Sequence, residues 1–141
     1  MTERQVPGWV KEHIGRYLDS NGEDGHIWNG VPTLLLTTTG RRTGKSRTTP
    51  LIYGKVEGEE KYVIVASRGG ATHHPSWYLN LVETPAVQLR VGADCFDATA
   101  HTASAEEKPA LWTLMADIWP AYNDYQAKTA REIPVVVLKR A

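Results

Sequence analysis

Strand-forming stretches recur at such short intervals along this chain that a β-meander is the framework any fold must accommodate. Pro32–Thr39 (PTLLLTTT) runs from apolar to β-branched residues, and Thr48–Val56 resumes the pattern after the basic connector GRRTGKSR. Lys61–Ser67 (KYVIVAS) has the near-continuous apolar character of a buried strand. Val87–Val91 and Cys95–Thr102 flank Gly92-Ala93-Asp94, a hairpin signal. Ile133–Lys139 (IPVVVLK) ends the series, with Pro134 suited to a strand start or edge.

Helical patterns interrupt the meander. Val6, Trp9, Val10, His13, Ile14, Tyr17 and Leu18 form one apolar stripe at helical spacing, so an amphipathic helix is expected over residues 6–20, with Asn21-Gly22 as its stop. Pro75–Val82 reads as a second helix with Pro75 at its first position. Ser104-Ala-Glu-Glu107 is a capping-box pattern leading into a helix that runs to Ile118; Pro109 kinks that start or sets it later. Pro120 ends the segment, and Ala121–Ala130 reads as another short helix. Six strands with peripheral helices give a small β-barrel of α+β class, organised as one domain over residues 1–141 with its body at 32–139.

A chain of 141 residues should fold to roughly 7,000 Å² of surface from roughly 23,000 Å² unfolded, enough burial for a core without covalent staples. The single cysteine, Cys95, excludes an internal disulfide framework and a Cys-rich zinc site. No apolar run is long enough to span a bilayer, and the first residues lack the apolar stretch of a secretory signal, so a cytoplasmic location is expected. The stripe at 6–18 packs on its own domain in the simplest reading and lies on a membrane surface in the alternative.

Formal charge is zero, which removes a domain-wide nucleic-acid footprint. The balance is uneven, however: residues 39–50 carry Arg41, Arg42, Lys45 and Arg47 and no acid. So compact a focus suits a small anion such as a phosphate or carboxylate. Gly40-Arg-Arg-Thr-Gly-Lys-Ser46 is one residue short of a P-loop, and strand rather than helix follows it, so nucleotide hydrolysis is rejected. Its glycines and cations still describe an anion-binding hairpin.

Ser67-Arg68-Gly69-Gly70 follows the buried strand, and its glycines permit close approach of a ligand to the backbone. His73 and His74 are adjacent with no third ligand at suitable spacing, so no metal site is expected. Trp119-Pro-Ala-Tyr122-Asn-Asp-Tyr125 mixes large rings with polar groups around a helix break, as a pocket wall does. There is no nucleophile elbow, activated cysteine or carboxylate pair. Side chains that bind anions and planar groups but supply little chemistry imply a cofactor that carries the reaction.

The strings TTTGRRTGKSRTTPLIYG, VIVASRGGA, HPSWYLNL, PAYNDYQ and IPVVVL, in that order, resemble the deazaflavin-dependent nitroreductase and quinone reductase family of actinobacteria. The resemblance implies a split β-barrel related to flavin mononucleotide-binding oxidoreductases, with reduced coenzyme F420 as hydride donor. Carried over by position, Thr37, Gly40, Arg41, Arg42, Thr43 and Arg47 would serve the phosphate and oligoglutamate tail. Pro50 and Leu51 would line the deazaflavin, opposite Ser67, Arg68, Gly69 and Gly70, and Trp77, Tyr78 and Asn80 would complete the cleft. Ser67, Tyr122 and Tyr125 would be the catalytic set, with Ile52, Trp119, Tyr122 and Tyr125 around the acceptor.

Ile52 and Trp119 stand where the nitroreductase pattern favours tyrosine, and Arg68 replaces lysine. That shifts the expectation from bulky nitro compounds towards quinones, which live in lipid and so keep the membrane alternative open. A flavin mononucleotide oxidoreductase and a non-catalytic deazaflavin carrier are the competing readings. Monomer and homodimer are both compatible with the sequence.

Overall fold

A computed structural model describes residues 14–18, 20, 27–28, 31–56 and 60–141. The strands are β1 (Ile27–Trp28), β2 (Val31–Thr39), β3 (Ser46–Ile52), β4 (Gly54–Lys55), β5 (Lys61–Val65), β6 (Ala86–Val91), β7 (Asp94–Thr102) and β8 (Val135–Arg140). The helices are α1 (14–18), α2 (Ser76–Glu83), α3 (Lys108–Ile118) and α4 (Ala121–Lys128), with a 3-10 turn at Arg68–Gly70. All described strands pair antiparallel in the order β3-β2-β6-β7-β8-β5-β4, and β1 pairs with the start of β2.

β3 and β4 therefore lie at opposite ends of the strand order, yet only Tyr53 separates them in the chain. The sheet has to curl until its edges meet, and the result is a split β-barrel with helices packed around it. Leu34, Leu36, Ile64, Leu89, Phe96, Val136 and Leu138 fill the interior, and Trp77 and Leu81 of α2 complete that core. Tyr53 faces the same core, where burial pushes its phenol up to about 12.

Burial follows the strand period where one face meets water. β7 alternates, with Phe96, Ala98 and Ala100 buried between exposed neighbours. β5 and β8 do not alternate, because Val63, Val65 and Val135 on their outer face are covered by Met115 and Tyr122 of α3 and α4 and by Ile133. This double coverage explains why KYVIV and VVVL read as unbroken apolar runs. The β6–β7 turn is a two-residue loop, Gly92-Ala93, in which Gly92 takes φ +61° as the first position of a type II′ turn requires.

Several expectations shift in detail. Thr48–Val56 is two strands rather than one, because the chain crosses between sheet edges at Tyr53. The Ile27–Trp28 strand has no clear sequence signal. Of the expected helix at 6–20, residues 14–18 are helical, while 6–13, residue 19 and the Asn21-Gly22 stop lie outside the described residues. Pro75 sits at the N-cap of α2, one residue before the first helical position.

The capping box forms as expected: Ser104 N–H donates to Glu107 Oε1 at 3.0 Å and Glu107 N–H to Ser104 Oγ at 3.2 Å. The regular helix nevertheless begins only at Lys108, since Pro109 contributes no N–H to the first turn. Among the described residues no helix is long and apolar enough to cross a membrane.

Among the described residues, Tyr17 anchors α1 to the sheet. Tyr17 is fully buried, and its hydroxyl lies 3.1 Å from Thr33 O and 3.2 Å from Arg90 O while accepting Gly92 N–H at 2.6 Å. Tyr17→Phe leaves these main-chain groups short of a partner, and urea denaturation should register a loss of about 1–3 kcal/mol. A change within experimental error would show that α1 is held by apolar packing alone.

Candidate functional site

The basic hairpin is the connection between β2 and β3, which pair from Thr39↔Ser46 down to Thr33↔Ile52. Gly40 N–H donates to Lys45 O and Gly44 N–H to Gly40 O, both at 2.8 Å, closing residues 40–45 into a compact loop. A Cβ on Gly40 would stand 2.9 Å from Thr43 Oγ1 and 3.1 Å from Lys45 O, so a side chain there would make the loop give, and Gly44 has φ +71°. Arg42 and Lys45 are exposed, and Arg47 is half-buried.

Arg41 is committed inward. Its main-chain N–H and its Nη1 donate to Asn80 Oδ1 at 3.2 and 2.9 Å, and Nη1 also reaches Ser76 O at 3.4 Å. Asn80 is buried and donates from Nδ2 to Thr38 Oγ1 at 3.3 Å. One carboxamide thus ties the hairpin to α2. Thr37 Oγ1 meets Thr48 Oγ1 across the β2–β3 ladder at 2.9 Å.

A second segment approaches the same strand from the other side. β4 pairs with β5 in the register Gly54↔Val63. Continued along the chain, that register sets Val65 against Ile52 and Ser67 against Pro50, yet no ladder joins β3 to β5 among the described residues. This is the split in the barrel. Pro50, Leu51 and Ile52 are half-buried along one lip, and Ser67, Arg68 and Gly70 follow from the other.

The segment after β5 is strained and tightly supported. Arg68 has φ +45°, the only non-glycine residue at positive φ among those described. Gly70 has φ +81°, and a Cβ there would meet Tyr125 O at 2.7 Å, so the turn lies directly on α4. Arg131 reaches it from the α4–β8 connection: Nε donates to Ala71 O at 3.0 Å, Nη1 to Ala66 O at 3.1 Å and Nη2 to Ser67 O at 2.8 Å. Nη1 also lies 2.8 Å from His74 Nδ1, and burial together with the Arg131 charge lowers the His74 pKa.

α4 and its approach form the third wall. Ile52 and Trp119 pack against the cluster that contains Tyr122, with Tyr125 beside them. Trp119 Nε1 donates to Tyr125 Oη at 3.4 Å, and the Tyr122 and Tyr125 rings meet edge-on with centroids 6.1 Å apart. Tyr122 is 5% exposed, and burial beside Tyr125 raises its pKa further from the neutral range.

A sequence profile of the F420H(2)-dependent quinone reductase family matches residues 9–140. The chain belongs to that family. An F420H(2)-dependent quinone reductase of Mycobacterium tuberculosis is 39% identical over 96% of this chain and 98% of its own length. A solved F420-H2-dependent reductase superposes with TM-score 0.70 at 41% identity, covering 77% of this chain and 94% of that one. A further solved structure, described as a domain-swapped dimer, reaches TM-score 0.73 at 39% identity over 93% of this chain and 97% of that one.

Within this quinone reductase fold the expected residues separate into groups. The lip residues Pro50 and Leu51 and the facing Ser67, Arg68 and Gly70 border the split, with Gly69 inside the 3-10 turn, while Gly40, Arg42, Thr43 and Arg47 lie at the hairpin where β3 begins. Ile52, Trp119, Tyr122 and Tyr125 come together on the α3–α4 side. Trp77 does not join them, being in the barrel core at 8% exposure, and Asn80 is buried under the hairpin. Tyr78 turns towards β7, its hydroxyl 2.9 Å from Thr102 Oγ1. Sequence reasoning missed Arg131 altogether, since one arginine before IPVVVL carries no motif.

Asn80→Ala removes the acceptor that holds Arg41 and should cost about 1–3 kcal/mol in stability. Limited trypsin digestion should then cut after Arg41 or Arg42 faster than in the parent protein. Unchanged cleavage would mean that the hairpin holds its shape without α2.

Proposed function

We propose that this chain reduces quinones with reduced coenzyme F420, and that the split between β3 and the Ser67–Gly70 segment is where the cofactor lies. The observation that carries the reading is the junction of three features at that split. A hairpin with exposed cations and a glycine-tightened loop suits an anionic tail. Half-buried Pro50 offers an apolar lip for a planar ring, with the backbone of Leu51 beside it and the Leu51 side chain packed on the barrel core. The Ser67–Gly70 backbone opposite them leaves the strand for a 3-10 turn with Arg68 and Gly70 at positive φ.

Reduced coenzyme F420, when bound, supplies a hydride that with one proton converts a quinone to a hydroquinone. The protein's part is binding and orientation, which bring donor and acceptor to reacting distance and exclude water. Arg42, Thr43, Lys45 and Arg47 hold the phosphate and carboxylates of the tail. Arg41 and Asn80 keep that hairpin in place, and Trp77 supports α2 from inside the core. Pro50 and Leu51 flank the ring on one side, and Ser67, Arg68, Gly69 and Gly70 on the other. Tyr78 braces α2 against β7 through Thr102.

Ile52, Trp119 and Tyr125 wall the acceptor. Because Trp119 donates to the Tyr125 oxygen, the Tyr125 hydroxyl hydrogen is left to point at an acceptor oxygen. Tyr122, buried and neutral, sets the tilt of the Tyr125 ring. A homodimer is the assembly we infer, on the likeness to the domain-swapped dimer.

Anaerobic oxidation of reduced coenzyme F420, followed by absorbance, should proceed with menadione and stop without it. Tight binding with no turnover would favour a carrier, and selective binding of flavin mononucleotide would favour the other oxidoreductase reading. Tyr125→Phe should lower kcat with menadione by about ten- to a hundredfold and leave cofactor affinity unchanged. Equal kcat in that variant would remove Tyr125 from the acceptor site.

A further inference from the structure

Arg131 places three of its five N–H donors on carbonyls of the segment that opens the split and a fourth against His74 Nδ1, and every acceptor it uses is neutral. Among the described residues no carboxylate pairs with it, and the neighbouring Arg68 adds like charge. The side chain therefore holds a backbone shape: the carbonyls of Ala66, Ser67 and Ala71 converge on one planar fork. Those carbonyls bracket Arg68, whose left-handed backbone is unfavourable for a non-glycine residue and persists only under external support.

Arg131 is itself fixed. Gln126 of α4 donates to Arg131 O at 2.8 Å and accepts Ile133 N–H at 2.9 Å, while Arg131 N–H reaches Thr129 Oγ1 at 3.2 Å.

We propose that Arg131 is a positioning residue for the cofactor site, holding Ser67–Gly70 in the conformation that binds the deazaflavin, with His74 as its proton-sensitive fourth partner. The proposal rests on the functional reading above. A guanidinium only donates, so His74 Nδ1 has to accept, which requires neutral imidazole with its proton on Nε2. Protonation sets donor against donor and charge against charge. The groups facing His74 are Arg131 and the ring of Tyr78, whose centroid is 4.9 Å away, with Arg68 beyond the guanidinium. The folded-state pKa of His74 lies below its ordinary 6.5, so the contact is complete above that value and is lost as pH falls through the folded pKa.

The test compares the full-length parent with Arg131→Lys, which keeps the charge but loses the fork, and with His74→Phe, which removes one of the four partners. Two quantities are read: amide-exchange protection factors across residues 66–72, with β5 and β8 as internal controls, and the Kd for oxidised coenzyme F420 from pH 5 to 8. In Arg131→Lys the 66–72 amides should lose protection by about tenfold while the strands keep theirs, and Kd should rise by about tenfold. In the parent, protection of the segment should fall and Kd rise as pH drops through the lowered folded-state pKa of His74, and His74→Phe should flatten both profiles.

Unchanged protection in Arg131→Lys overturns the proposal, as does loosening of the segment with no change in Kd. A His74→Phe profile identical to the parent's overturns the role of His74. Failure of the parent itself to bind coenzyme F420 is a different result: it overturns the functional reading and the positioning role with it.

Discussion

A single residue between two strands governs this architecture. β3 and β4 belong to opposite ends of one antiparallel order and are joined through Tyr53, so the sheet can satisfy its own chain only by curling. Curling creates an interior that Leu, Ile, Val and Phe side chains fill, and it brings β3 beside β5 without hydrogen-bonding them. The split is therefore a product of connectivity. It leaves an apolar lip, an unpaired strand edge and two loops in one place, which a flat sheet of the same sequence would scatter.

What the barrel leaves irregular is then pinned by polar side chains. Asn80 holds the basic hairpin to α2, and Arg131 holds the Ser67–Gly70 turn to the α4–β8 connection. Both are at least partly buried, where hydrogen bonds are stronger and an unmade one is costly. Their effect is preorganisation, which lets a loop with a strained residue present the same surface each time. Gly70 adds a steric constraint, since its contact with the Tyr125 backbone leaves no room for a side chain and couples the turn to α4.

Much of the fold was legible because strand patterning is local. The hairpin around Gly92, the helix at Ser76–Glu83, the capping box at Ser104 and the final strand all form within a residue or two of their signals. The family resemblance added the split barrel, which strand counting alone left as a small barrel. Less legible were features that depend on distant partners. Nothing local says that Thr48–Val56 must break at Tyr53, because the break comes from sheet closure.

Site residues divide along the same line. The cations and glycines of the hairpin announce themselves, but whether a given side chain faces a ligand or the core is a tertiary fact. Trp77 and Asn80 look like cleft residues by position and turn inward. Arg131 has no pattern at all, because its partners lie some sixty residues away in the chain.

The central claim is that the hairpin, the β3 lip and the Ser67–Gly70 turn form one cofactor site. Backbone amide chemical shifts followed during titration with oxidised coenzyme F420 test it most directly. The account predicts coordinated shifts at Arg41–Arg47, Leu51–Ile52 and Ser67–Gly70, saturating with a single Kd. Shifts confined to another surface, such as the open groove lined by Ala105, Lys108, Pro109, Trp112 and Glu132, would contradict it.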